Sequence, residues 1–305
     1  MQHIKISVII PTLNAQGCLP PLLKRLAEQS VVLDEAIVID SESKDATAKI
    51  VRDAGVRLLS IPQREFNHGR TRNIAARGVN GEFLVFLTQD ALPVDEYMLK
   101  NLVDPLEKDP EIAVGYGRQI AYDWARPMEK FVRSFNYPKV SKIKGRDDIK
   151  TLGVKAFFCS NACAIYRREA FWKLGGFRED TIMNEDMEFA YRAILGGYKV
   201  SYAADACVLH SHDYTLFQQF KRYVDIGVFF SNNRVLKEYA KNESEGLKYI
   251  IQASVFLYNN KEFRELIYLF LDTIVRFLGY KVGSCYRRLP GNIIKKISMN
   301  KNYWD

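Results

Sequence analysis

Short apolar runs and amphipathic stretches alternate along the first ninety residues of this 305-residue chain. Ile6-Ser7-Val8-Ile9-Ile10 is a β-branched run stopped by Pro11, the pattern of a buried parallel strand. Over residues 17–29, Leu19, Leu22, Leu23 and Leu26 fall at helical spacing. Ala36-Ile37-Val38-Ile39 predicts a strand ending at Asp40, and a polar turn then leads to a helix over about 46–54. Val56 to Ile61, stopped by Pro62, predicts a third strand. A helix follows from about Thr71, and Phe83-Leu84-Val85-Phe86-Leu87 predicts a fourth strand. This order predicts an α/β fold with a parallel sheet and right-handed crossovers.

Residues 115–160 carry no clear period, and a basic, proline-interrupted stretch from Arg126 to Arg146 suggests mobile or partner-contacting segments. Regular structure resumes at Phe157-Phe158-Cys159-Ser160-Asn161. A helix from about Arg168 is closed by Gly175-Gly176-Phe177, and another from Asp186 to about Leu195 by Gly196-Gly197. A strand near 198–203 leads to Val208-Leu209-His210-Ser211-His212, and the chain turns helical from about Thr215. Leu266 to Leu278 is apolar, but it holds Asp272 and Arg276 and falls short of the ~20 apolar residues of a spanning helix. A core or docking helix is the simpler reading; a helix lying on a bilayer surface is the alternative.

Composition narrows the classes. With 48% hydrophobic and 26% charged residues the chain is globular, not disordered. A net charge of +8 favours anionic partners: nucleotide phosphates, nucleic acid or an anionic membrane face. The five cysteines (Cys18, Cys159, Cys163, Cys207, Cys285) are scattered and read as buried thiols. With no secretory signal at the start, a reduced, cytoplasmic setting fits best. Lys281, Arg287, Arg288, Lys295, Lys296 and Lys301 face only Asp305 in the tail, which could rest on anionic lipid with Tyr286, Tyr303 and Trp304 at headgroup depth, or could be a solvated terminus.

Ligands of such sheets bind outside the carboxyl ends of the strands. Pro11-Thr12-Leu13-Asn14, Asp40-Ser41-Glu42-Ser43 and Thr88-Gln89-Asp90-Ala91 lie there. Neither a Gly-x-Gly-x-x-Gly turn nor a Gly-Lys-Ser/Thr phosphate loop follows the first strand, which argues against dinucleotide oxidoreductases and nucleoside triphosphatases. Asp90 can hold a divalent cation on a diphosphate, or simply cap a turn before Pro93. Glu185-Asp186 opens a helix, where carboxylates are often caps, but it can also supply a general base. His210 and His212, two of four histidines, share one face if the segment is a strand, and either could ligate a metal beside a carboxylate.

Together, Pro11-Thr12-x-Asn14, Asp40-Ser41-x-Ser43-x-Asp45, Gln89-Asp90-Ala91 and Asn184-Glu185-Asp186 resemble the inverting family 2 glycosyltransferases of GT-A type. Phe66-Asn67-His68-Gly69-x-Thr71-Arg72-Asn73 is similar to the rhamnosyltransferase branch. The resemblance covers roughly residues 4–225, a nucleotide-sugar domain taken as 1–225, and leaves 226–305 as a helical extension facing a membrane or an oligomer. It implies a Rossmann-like, mostly parallel sheet flanked by helices. It implies that Asp40 binds the nucleotide base with Pro11 and Thr12, and that Asn14, Ser43, Gly69, Arg72, Asn73, Gln89, Asp90 and Arg222 complete the donor set. Arg72 and Arg222 suit a diphosphate because guanidinium binds phosphate in a planar fork, although surface salt bridges would use them too. Thr88 stands at the first position of the family's Asp-x-Asp element, so Mg2+ or Mn2+ would lean on Asp90 and on His210. Asp186 is the implied base, with Glu185, Asn161, His212, Gln219 and Tyr223 on the acceptor side or in support. Gln219-x-x-Arg222-Tyr223 resembles the Gln-x-x-Arg-Trp element of processive relatives, with Tyr in place of Trp.

The implied activity moves rhamnose from dTDP-rhamnose, with inversion, to a hydroxyl of a growing bacterial surface polysaccharide, lipid-linked, at the inner face of the plasma membrane. A silent nucleotide-sugar sensor or assembly subunit on the same scaffold is the alternative; retention of Asp90, Asp186 and His210 argues against it. A nucleic-acid binder rests on charge alone and lacks a recognition motif. A homodimer stays open, since nothing in the sequence reads oligomeric state.

Overall fold

Nine strands form one sheet in the computed structural model, which describes residues 4–240 and 243–305. They are β1 (Ile6–Thr12), β2 (Glu35–Asp40), β3 (Arg57–Ser60), β4 (Phe83–Leu87), β5 (Leu92–Pro93), β6 (Ile112–Ile120), β7 (Lys142–Lys144), β8 (Cys163–Arg167) and β9 (Lys199–Leu209). Their spatial order is β3-β2-β1-β4-β8-β6-β9-β5, with β7 paired to β9. The first four strands run parallel, as their alternation with helices predicts. Then β8 inserts antiparallel between β4 and β6, while β6 and β9 pair in parallel. The strands bury near-continuous Ile, Val, Leu and Phe because helices cover both faces.

Several local expectations change. The helix placed from Thr71 starts at His68, because Asn67 caps it by accepting from the Gly69 and Arg70 amides. The segment expected to be mobile around Arg126–Arg146 is ordered: Pro127 opens the helix Pro127–Asn136 instead of breaking one. Instead of regular structure resuming at Phe157, a 3-10 turn ends there and β8 begins at Cys163. The two short runs at 198–203 and 208–212 are one strand, β9, which ends before both histidines. Of the cysteines, Cys159 and Cys163 are buried, Cys18 and Cys207 half-buried, and Cys285 is exposed.

The helix Leu216–Asn232 runs unbroken through position 225 and packs along the helix Phe263–Ser284. Small residues set that approach: a Cβ on Gly283 would lie 1.9 Å from the Val224 carbonyl oxygen. On the same inner face, Asp272 and Arg276 form a 2.6 Å ion pair. The helix Glu243–Asn259 lies beside it and against Pro127–Asn136. Tyr286, Tyr303 and Trp304 pack back on the main core, so the tail aromatics are not free anchors as the sequence suggested. Among the described residues, no helix is long and apolar enough to cross a membrane.

Candidate functional site

The carboxyl ends of β1, β2 and β4 carry a hydrogen-bonded rim. Thr12 donates to Asp40 at 2.9 Å, and the Ser43 amide and hydroxyl donate to the same carboxylate at 2.9 and 2.5 Å. Asn14 donates its amide to Ser43 at 2.7 Å, and Gln89 bonds both the amide and the carbonyl of Leu13. Pro11, Thr12, Asn14, Asp40, Ser43 and Gln89 are therefore brought together, but Asp40 is buried and serves as the hub of these loops.

Next to this rim, Asp90, His210 and His212 offer ligand atoms that all lie within 4.8 Å of one another. His210 Nε2 is 3.4 Å from Asp90 Oδ1, and His212 Nε2 is 3.8 Å from Oδ2. The imidazoles sit in the extended segment after β9, edge to face at 4.5 Å, and still reach one point. Their approach depends on Gln119 of β6. A register shift between Gly117 and Arg118, where β9 bulges, precedes Gln119. Gln119 Oε1 then lies 2.8 Å from His210 Nδ1 and also accepts from Arg133. An acceptor there places the proton on Nδ1 and leaves the Nε2 lone pair free. That Nε2 is buried and has no hydrogen-bond partner. Burial and repulsion from His210 bring His212 down to about 4, so its ring is neutral. Burial pushes the Asp90 carboxyl up, but the neighbouring His210 and His212 imidazoles outweigh it and hold it well below the ordinary range. One carboxylate and two imidazoles, one with an orphaned nitrogen, fit a divalent cation.

A cleft of about 570 Å3 leads from His210 and His212 to Glu185 and Asp186. These carboxylates open the helix Glu185–Leu195 just after Asn184, which takes the left-handed conformation at φ 57°. Asn161 serves both: its amide donates to Asp186 at 2.9 Å and its side chain to Glu185 at 2.9 Å. Met187 N–H donates to the other Asp186 oxygen at 2.8 Å. Arg72 pairs with Glu185 at 3.2 Å. Burial opposes ionisation of Glu185, but Arg72 and His68 hold it below its usual value. Burial, and then the Glu185 charge, push Asp186 up to about 7.

Other expected residues separate. Gln219, Arg222 and Tyr223 line the cleft, with the Arg222 guanidinium 5.6 Å over Tyr214. Arg72 lines it too, but its guanidinium holds Glu185 and does not stand free for a diphosphate. Gly69 and Asn73 do not line the cleft. A Cβ on Gly69 would lie 2.1 Å from the Arg178 carbonyl oxygen, and the buried Asn73 side chain is spent on Phe177 and Glu179. Sequence reasoning missed Gln119, Glu129, Arg133, Arg276 and Asn300. Glu129 accepts from Arg133 and from the His212 amide. Asn300 Oδ1 accepts from His68 Nε2 at 3.0 Å, and its backbone and side-chain N–H groups donate to the buried Asp225 carboxylate, which brings the tail into the cleft wall. The only sequence signal for these was polarity inside apolar surroundings.

Known proteins resemble this chain in sequence and in fold. A sequence model described as Glycosyl transferase family 2 matches residues 7–175. The chain is 41% identical to the O-antigen chain rhamnosyltransferase RfbN of Salmonella typhimurium, over 99% of this chain and 96% of that protein. It is 39% identical to the O-antigen chain rhamnosyltransferase WbaN of Salmonella anatum, over 98% and 95%. In fold it is similar to the mannosyltransferase PcManGT of Pyrobaculum calidifontis, solved with GDP-Man and Mn2+: TM-score 0.65 at 17% identity, over 93% of this chain and 88% of that one. Residues 1–349 of Staphylococcus aureus TarS, solved with UDP-GlcNAc, give a TM-score of 0.56 at 18% identity, over 93% and 92%.

Proposed function

The chain belongs to glycosyl transferase family 2, and from that premise we propose that it is an inverting rhamnosyltransferase that uses dTDP-rhamnose to extend a lipid-linked surface polysaccharide at the inner face of the plasma membrane. The observation that carries the chemistry is the shared cleft, with the Asp90-His210-His212 cluster at one end and the raised Asp186 carboxyl at the other.

Asp90, His210 and His212 would hold Mn2+ or Mg2+, and the two imidazoles favour Mn2+. The ion would supply charge neutralisation for the leaving diphosphate. Asp186 takes the proton of the acceptor hydroxyl as its oxygen bonds to the anomeric carbon; the bond from that carbon to the diphosphate breaks on the opposite face. Two backbone amides fix the Asp186 carboxylate, so little reorganisation accompanies proton transfer. Arg222 lines the cleft with its guanidinium over Tyr214 and would meet acceptor or phosphate oxygens. Pro11, Thr12 and Asp40 shape the base end through the rim, and Gln219 and Tyr223 face the acceptor.

A donor panel read by thermal shift, with and without Mn2+, tests base, sugar and ion together; dTDP-rhamnose should give the largest Mn2+-dependent stabilisation. Asp186→Asn should keep that stabilisation and lose transfer by at least ~1,000-fold, at the upper end of general-base effects. Near-normal turnover by this variant would remove the assigned base.

A further inference from the structure

We propose that the outer face of the hairpin formed by helices Glu243–Asn259 and Phe263–Ser284 lies in the plane of an anionic lipid bilayer. Along the second helix, Phe263, Ile267, Phe270, Leu271, Ile274, Phe277 and Leu278 are all exposed. Their spacing makes one continuous stripe about 22 Å long at 1.5 Å per residue. Ile267 and Phe270 are 67% and 65% exposed, far from the scattered single apolar residues of an ordinary surface. Leu247, Ile251, Val255 and Tyr258 form a second exposed stripe on the neighbouring helix.

The polar groups of the second helix lie on its other side. Asp272 and Arg276 pair with each other on the inner face, and Gly279 and Gly283 meet the Leu216–Asn232 helix there. No acidic residue falls on the stripe, whereas Lys281 continues it with its ammonium 5.3 Å over the Phe277 ring. Exposed Lys261 and Arg264 stand at the other end. Residues 243–284 hold five Lys and Arg against five Asp and Glu, so the basic character of this face rests on where Lys261, Arg264 and Lys281 stand, at the ends of the stripe. Apolar surface bounded by long basic side chains is the composition of an in-plane interfacial helix, whose cations reach the headgroups while the rings enter the acyl boundary.

A second copy of the chain is a poorer occupant. Antiparallel pairing of the two stripes brings Lys281 of one copy onto Lys261 and Arg264 of the other, and parallel pairing sets each cation on its equivalent. Anionic headgroups remove that repulsion. The placement also links the bilayer to the cleft, because Arg276 lines the cleft from the helix whose opposite face carries the stripe. The inference deepens the membrane placement in the proposed function, rests on that reading for the bilayer it meets, and does not depend on the donor.

Flotation of the full chain with phosphatidylcholine vesicles, with or without phosphatidylglycerol, tests it. The chain should float with the anionic vesicles and at least tenfold less with the neutral ones. Ile267→Glu, Phe270→Glu and Phe277→Glu combined should cut flotation at least tenfold while leaving circular dichroism and donor-induced thermal shift unchanged. Lys261→Glu, Arg264→Glu and Lys281→Glu combined should abolish the preference for anionic lipid, which keeps the test open if the first variant misfolds. Undiminished flotation of both variants would overturn the proposal. So would a wild-type chain that ignores vesicles but sediments as a dimer that the first variant dissociates, a result that assigns the face to a second copy. Loss of the donor shift in wild type with flotation intact would sink the transferase reading alone.

Discussion

Glu185 and Asp186 are neighbours in sequence that titrate in opposite directions, and the cause is which cation each one meets. Arg72 and His68 compensate Glu185; Asp186 is left with burial and the Glu185 charge, and moves up to about 7. The catalytic form of a base is the carboxylate, so kcat/KM should climb as pH rises through about 7 and level off above it. The same proton is held more tightly in the folded chain than in the unfolded one, so the stability it contributes fades as pH rises through that value. Glu185→Gln removes one of the two causes and leaves the Arg72 charge uncompensated, so the acid limb should move to lower pH; a limb that does not move would separate the two carboxyls. Gln119 acts on another atom. Gln119→Leu deletes the acceptor that fixes the His210 tautomer, and calorimetric titration should show Mn2+ affinity falling about 10–100-fold. Beyond its polarity in an apolar run, the sequence does not mark Gln119, because its role comes from register with β9 and not from its neighbours.

At the scale of elements, β1 to β4 were legible because each is a short apolar run stopped by proline or a polar turn. The helix Pro127–Asn136 was not: its prolines and charges look like punctuation until Pro127 is seen at the first helical position and Glu129 and Arg133 are seen gripping the His212 loop. The histidine pair is a mixed case. Their convergence was expected from strand periodicity, yet both lie past the strand and are gathered by Gln119, Glu129 and Asp90. The tail was read as an anchor or loose end, because the Asp225-Asn300-His68 chain joins residues with no local pattern in common. Asn300→Ala removes one side-chain hydrogen bond from the buried Asp225 carboxylate and one from His68, which should cost about 1–3 kcal/mol in denaturant unfolding. It should also raise the acceptor KM more than the donor KM, since Asn300 faces the Asp186 end of the cleft.

Across the whole molecule, the family resemblance was readable from loops at the carboxyl ends of strands, but the order in which the later strands pair was not. Insertion of β8 between β4 and β6 carries no signature in hydrophobic period. That pairing order has a thermodynamic corollary. Asp90 precedes β5 and His210 follows β9, and they become neighbours when β5 pairs with β9. A cation bridging them therefore recognises the finished sheet and has no equivalent grip on an open chain, so occupancy and completion of folding are one equilibrium. Mn2+ at a hundred times its dissociation constant should add about 2.7 kcal/mol to the unfolding free energy without any sugar nucleotide present, seen as a rise in melting temperature that Asp90→Ala abolishes. The ion that would serve the leaving group would then also be a clasp across the β5–β9 pairing.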